Sequence, residues 1–175
     1  VEAKEARLRG DLEREYVDYV TARMTALRRV AYQLAGDPHR ADDIVQQTLT
    51  RLYVKWSRAR AAENLDAYTH TVLVRIFLDE RRLRWSRVHL VAEVPESTQQ
   101  PPDPEDRQLV RAALAQVPPR QRAVLVLRFL ADQPVEEVAR ILRCSEGTVK
   151  SQTSRGLATL RRLLGDDAYA TVEEQ

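Results

Sequence analysis

The sequence predicts an all-α protein made of two small helical domains joined by a linker. Three observations carry that prediction. Apolar residues recur every three or four positions over long stretches, which is the period of one helix face. No long run alternates apolar and polar residues as a half-buried strand would. Glycine is scarce, at 5 of 175 residues, and one stretch rich in Pro, Ser, Thr and Gln divides the helical patterns into two groups.

The elements follow in order. Residues 1–10 are polar and read as a frayed end. Leu12, Tyr16, Tyr19, Val20, Leu27, Val30, Ala31 and Leu34 then mark a long amphipathic helix. Gly36 is a suitable C′ stop, and Asp37-Pro38 supplies an N-cap followed by proline at the first helical position. The second helix turns Ala41, Ile44, Val45, Leu49, Leu52, Tyr53 and Trp56 inward. Its outer face carries Asp42, Asp43, Gln46, Gln47, Thr50 and Arg51. A polar loop covers 57–64. A third helix over 65–84 places Leu65, Tyr68, Val72 and Ile76 inside and ends in the basic run Glu80 to Trp85. These helices form a first domain over 11–85.

Residues 86–104 read as a linker. They hold Pro95, Pro101, Pro102 and Pro104 among polar residues and too little apolar area to fold alone. The second domain, 105–165, begins with Leu109, Val110, Ala113 and Leu114, breaks at Pro118-Pro119, and continues as a helix over 120–130. It closes on a helix-turn-helix pattern. Val135, Val138, Ala139 and Leu142 line one helix, and Arg143-Cys144-Ser145 make the turn. Val149, Thr153, Leu157, Leu160 and Leu164 form the inner stripe of the second helix. Ser145 is a good N-cap, because its hydroxyl can accept from an orphan backbone N–H. The opposite face shows Thr148, Lys150, Ser151, Ser154 and Arg155, donors of the kind that meet phosphates and base edges. An ordinary helical hairpin with a solvated basic face is the competing reading of this segment.

Net charge is only +2, but it is distributed in blocks. Arg107, Arg111, Arg120, Arg122 and Arg128 fall in a stretch with no acid. Glu93, Glu96, Asp103, Glu105 and Asp106 fall in one with no base. Cys144 is the only cysteine, so no intramolecular disulfide forms, and a cytoplasmic setting is expected. His39, His70 and His89 lack metal-ligand spacing. No apolar run reaches transmembrane or signal-peptide length. Without a Gly-rich phosphate loop, metal cluster or nucleophile–base pairing, neither an enzyme nor a bound cofactor is expected.

Three stretches carry a family resemblance. LAGDPHRADDIVQQTLTRLYVKW resembles region 2.2 of the extracytoplasmic-function (ECF) sigma factors. NLDAYTHTVLVRIFLDERRLRW resembles regions 2.3 and 2.4. VPPRQRAVLVLRFLADQPVEEVARILRCSEGTVKSQTSRGLATLRRLL is similar to region 4. All three stand in the family's order with the linker between them, and the phrasing is closest to the short actinobacterial members.

The resemblance implies an RNA polymerase specificity subunit. Asp42, Asp43, Gln46, Gln47, Thr50 and Arg51 would dock on the clamp helices of the largest polymerase subunit, while the second domain meets the flap of the second subunit. Asn64, Tyr68, Thr71 and Arg75 would help open the −10 element, with Arg81, Arg82 and Arg84 neutralising phosphates. Tyr68 falls on the inner face, where a core role competes. Arg120, Thr148, Lys150, Ser151, Ser154 and Arg155 would read the −35 element as duplex. Two residues depart from the family pattern. Arg75 stands where Asn is usual, so a group that only donates replaces one that donates and accepts. Gln47 stands where an acid is common. The acidic linker is a candidate occupant of a polymerase channel built for a polyanion, or a plain spacer. Family members are often held by an anti-sigma factor, although no residue here identifies one. A self-sufficient helix-turn-helix repressor is the rival reading. Such proteins commonly dimerise, and no dimerisation heptad is evident.

Overall fold

A computed structural model describes residues 2–87 and 105–165, with side chains from Arg9 to Arg82 and from Arg107 to Gly165. All the regular structure among them is helical. The predicted linker, 86–104, falls almost wholly outside the described residues.

Helix α1 runs from Glu2 to Ala35. The expected frayed start is therefore helical. Ala3, Lys4, Glu5, Ala6, Arg7 and Leu8 are polar as a group but are mostly strong helix formers, and propensity outweighs polarity there. The helix stops at Gly36, which takes φ +73° and donates its N–H to the Tyr32 carbonyl at 2.8 Å. Asp37 then caps α2 (Pro38–Val54), its carboxylate accepting from the Arg40 N–H at 2.8 Å. Ala41, Ile44, Val45, Thr48 and Leu52 of α2 are buried. Tyr53, expected inside, is 56% exposed and instead leans its ring edge on Tyr16, 5.2 Å between centroids.

A short helix, α3 (Trp56–Ala59), occupies the start of the predicted loop. It forms because Trp56 is buried with Leu52 and Ala59 against Tyr16 and Tyr19. Helix α4 spans Leu65–Arg87. Its buried residues are Ala67, Thr69, Leu73, Val74, Ile76 and Phe77, whereas Leu65, Tyr68 and Val72 of the predicted inner face are only half-buried. The difference has a simple cause. Helix α4 is covered on two sides, by α1 and α2 on one and by the second group of helices on the other.

The second group comprises α5 (Glu105–Gln116), α6 (Pro119–Leu125), a π-helical turn (Val126–Leu130), α7 (Val135–Leu142) and α8 (Glu146–Leu164). The helix predicted over 120–130 thus changes pitch at Val126. The wider turn is closed by Ala131 N–H to the Val126 carbonyl, 3.0 Å, and Gln133 N–H to the Leu127 carbonyl, 2.9 Å. Helix α7 ends on Arg143 in the left-handed region, φ +52°, and the Cys144 N–H returns to the Ala139 carbonyl at 3.0 Å. Val149, Gly156 and Leu160 seat α8. Gly156 fits directly beneath Leu125, where an added Cβ would stand 2.9 Å from Cδ1.

The two groups pack on each other. One apolar core runs from Leu27, Val30 and Leu34 of α1 through Leu73 and Phe77 of α4 to Leu114, Val124 and Leu127 of the second group. The sequence predicts two separate bundles; the structure brings them together along a seam.

Candidate nucleic-acid interface

Helix α8 carries an exposed polar face. Ser145 caps it, accepting from the Thr148 N–H at 3.1 Å, and the two hydroxyls lie 2.9 Å apart. This cap fixes the first turn of α8 and occupies the Thr148 hydroxyl. Lys150, Ser151, Ser154 and Arg155 are exposed, on the side away from buried Val149, Gly156 and Leu160. The Ser151 hydroxyl donates back to the Thr148 carbonyl at 3.0 Å. Helix α7 packs beneath α8 across the Arg143–Ser145 turn, the geometry in which a second helix enters a major groove. Arg120 is exposed but has a partner of its own, donating to the Leu142 carbonyl at the end of α7, 3.3 Å away. It therefore ties α6 to the helix-turn-helix.

On α4 the candidates separate. Asn64 is exposed and caps the helix, its Oδ1 accepting from the Ala67 N–H at 3.0 Å. Tyr68 packs on the Leu52–Trp56 cluster, so its core role is real. Thr71 is half-buried and donates to the Ala67 carbonyl at 2.8 Å. Arg75 and Arg82 are exposed and follow Thr71 at four- and seven-residue steps, which keeps the three on one side of α4. Arg81 is half-buried, its guanidinium 5.8 Å from the Phe77 ring centre. The Arg84 side chain lies outside those described.

The outer face of α2 is a third surface. Asp42, Asp43, Gln46, Gln47, Thr50 and Arg51 are all exposed. Asp42 pairs with Arg28 of α1 at 3.5 Å, and Gln47 donates to Glu80 of α4 at 3.1 Å. Thr50 donates to the Gln46 carbonyl at 2.9 Å.

Two features escape the sequence. The first is a network that anchors the start of α4 to α1. Tyr19 donates to Asp66 at 2.9 Å and lies 2.8 Å from the Thr69 hydroxyl. Arg23 grips the same carboxylate through Nε at 3.0 Å and Nη2 at 2.7 Å. Burial pushes the Tyr19 phenol well above its usual range. A cleft of about 570 Å³ opens here, with Asn64 and Asp66 facing Glu137 and Arg140 of α7. The second is Arg122, which belongs to a basic stretch of sequence but is 2% exposed. No signal short of the fold marks either, because each depends on contacts between distant helices.

Comparison with known proteins agrees with this geometry. The family described as Sigma-70 region 2 matches residues 19–87, and that described as Sigma-70, region 4 matches residues 107–160. The RNA polymerase sigma-E factor of Streptomyces avermitilis is 37% identical over 92% of this chain and 93% of its own. The ECF RNA polymerase sigma factor EcfG of Rhodopseudomonas palustris is 32% identical over 84% of this chain and 83% of its own. Among solved structures, the sigma factor RpoE of Bartonella quintana, crystallised with the anti-sigma factor NepR, superposes with TM-score 0.72 at 27% identity. That match covers 86% of this chain and 96% of RpoE.

Proposed function

The chain belongs to the ECF group of the sigma-70 family of RNA polymerase sigma factors, and from that premise we propose how its surfaces divide the work of initiation. Core polymerase supplies the chemistry, and this chain directs it to promoters. Helix α8 enters the major groove of the −35 element, with Lys150, Ser151, Ser154 and Arg155 against base edges and phosphates. Thr148 acts mainly through the cap it shares with Ser145. Arg120 braces the reading unit and lies near the phosphate backbone. On the −10 side, Asn64, Thr71 and Arg75 meet the opened strand, and Arg81, Arg82 and Arg84 meet phosphates. Tyr68 supports that surface from below.

The α2 face, formed by Asp42, Asp43, Gln46, Gln47, Thr50 and Arg51, docks on the clamp helices of the largest polymerase subunit, and the second unit meets the flap of the second subunit. Such a polar face draws its specificity from charge and hydrogen-bond geometry more than from apolar area. No described helix is long and apolar enough to cross a membrane; the cytoplasm, where polymerase and DNA are, is the proposed location. A protein antagonist of the anti-sigma kind is the expected regulatory partner.

The exposed polar face of α8, mounted on buried Val149, Gly156 and Leu160, is the observation that supports this reading best. Arg155→Ala should reduce −35-dependent transcription by roughly tenfold to a hundredfold, the equivalent of one good base contact. Its binding to core polymerase should be unchanged in a pull-down. Asp43→Arg should do the reverse, losing polymerase while keeping its helical circular dichroism. Equal loss of polymerase binding in both variants would overturn the division of labour.

A further inference from the structure

One side of α1 holds the loop that carries Asn64. Glu15, Tyr19 and Arg23 stand at four-residue steps, so they lie along the same side of that helix. The loop before α4, residues 60–64, is tied to this row at both ends. Arg60, where the chain leaves α3, pairs through Nε with Glu15 at 3.1 Å. Just past the loop, Asp66 in the first turn of α4 accepts from the Tyr19 hydroxyl at 2.9 Å. It also accepts from two nitrogens of Arg23, Nε at 3.0 Å and Nη2 at 2.7 Å. The Thr69 hydroxyl, 2.8 Å from that of Tyr19, donates to the Leu65 carbonyl at 2.9 Å.

The two ties differ in strength. Arg60 and Glu15 form an exposed pair, which alone is worth little. The grip on Asp66 is stronger, because it is charge-assisted and forked. The Tyr19 ring is itself anchored, its centre 5.6 Å from that of Trp56 in the Leu52–Trp56 cluster. Its hydroxyl therefore reaches Asp66 from a fixed base. Neither partner is needed to start the helix. Asn64 already caps it, and a carboxylate in the first turn is favoured without a partner. What the row on α1 adds is a fixed position for that turn.

The cap also decides what Asn64 shows to its surroundings. Its Oδ1 accepts from the Ala67 N–H at 3.0 Å, and its backbone carbonyl accepts from the Tyr68 N–H at 3.0 Å. The two N–H donors of Nδ2 remain, on an exposed residue. They suit an acceptor on a base edge, which an unstacked base presents. An opened strand must be ordered as it binds. A donor already held in place adds less to that cost than one on a free loop.

We propose that Tyr19 and Arg23 are positioning residues for promoter opening, holding Asp66 so that the Asn64 amide is set to donate to a base of the opened −10 strand. The proposal rests on the reading of Asn64 as a −10 contact.

A double-variant cycle tests it, with the full chain bound to core polymerase. The probe is a fluorescent single-stranded oligonucleotide copied from the −10 block of a start site mapped with the unaltered protein. Tyr19→Phe keeps the ring against Trp56 and removes only the hydroxyl. Asn64→Ser keeps a capping oxygen and removes the amide donors. Each should weaken oligonucleotide binding by about threefold to tenfold, the loss of one hydrogen bond. The double variant should bind no more weakly than Asn64→Ser, because Tyr19 acts through that residue. Arg23→Lys keeps the charge but loses the forked grip, and it changes an exposed residue that folding does not depend on. It should repeat the pattern, alone and combined with Asn64→Ser. Binding to core polymerase and to −35 duplex should match the unaltered chain throughout.

Losses that multiply in the double variants would assign Tyr19 and Arg23 a general structural role and overturn the proposal. Full binding by either Tyr19→Phe or Arg23→Lys would overturn it too, and in both cases Asn64 would stand as a −10 contact. Full binding by Asn64→Ser would instead sink that reading, and the proposal with it.

Discussion

His70 lines the cavity in which α4 faces Leu130, Ala131, Asp132 and Gln133 of the second group. Its Nδ1 is buried with no hydrogen-bond partner. Burial lowers its pKa below the ordinary 6.5, with Asp66 opposing the shift and Arg23 adding to it. The sign follows from linkage. A base lowered by folding is neutral in the native state, so its contribution is fully present above about pH 6.5 and is lost as pH falls through the native value. Thermal melts from about pH 7.5 to about pH 5 should therefore show a larger loss for the unaltered chain than for His70→Gln. Equal losses would contradict this account of the residue. Single residues differ in how far sequence exposes them. Gly36, Asp37 and Ser145 were legible because a cap acts within a few residues of itself. The burial of Arg122 and His70 was not, because sequence states a charge and not the distant helices that enclose it.

At the scale of elements, the helix-turn-helix was legible almost residue by residue. Its turn, its cap and the exposure of Lys150, Ser151, Ser154 and Arg155 all follow from local spacing. Ser145→Ala removes the bond to the Thr148 N–H and should cost about 1 kcal/mol in urea melts, whereas Ser145→Asp, which keeps an acceptor, should cost much less. A loss for Ser145→Asp as large as that for Ser145→Ala would assign the effect to something other than the cap. The inner face of α4 was less legible. A helix covered on two sides buries more than one stripe, so Leu73 and Phe77 lie off the single stripe that periodicity marks. The pitch change at Val126 left no periodic signal either, since apolar residues run continuously from Ala123 to Leu127. Helix α3 leaves no local signal because Trp56 organises it from inside, through contacts with Tyr16 and Tyr19.

For the whole molecule, the order of the two helical groups and their all-α character were readable from periodicity and from the proline-rich break. The seam between them was not. It depends on Leu34, Gly36, Phe77, Ala115 and Arg122, which have no relation to one another until the chain folds. This distinction matters for mechanism. The surfaces proposed to read DNA and meet polymerase lie within single groups, where local spacing exposes them, whereas the seam joins residues from both. The chain directs polymerase to particular promoters. The most direct measurement is transcription of genomic DNA from the source organism by core RNA polymerase, with and without this protein, followed by mapping of transcript 5′ ends. Discrete start sites should appear only when the protein is present, preceded by two shared sequence blocks at constant spacing. Transcript ends that are the same with and without the protein would contradict the claim.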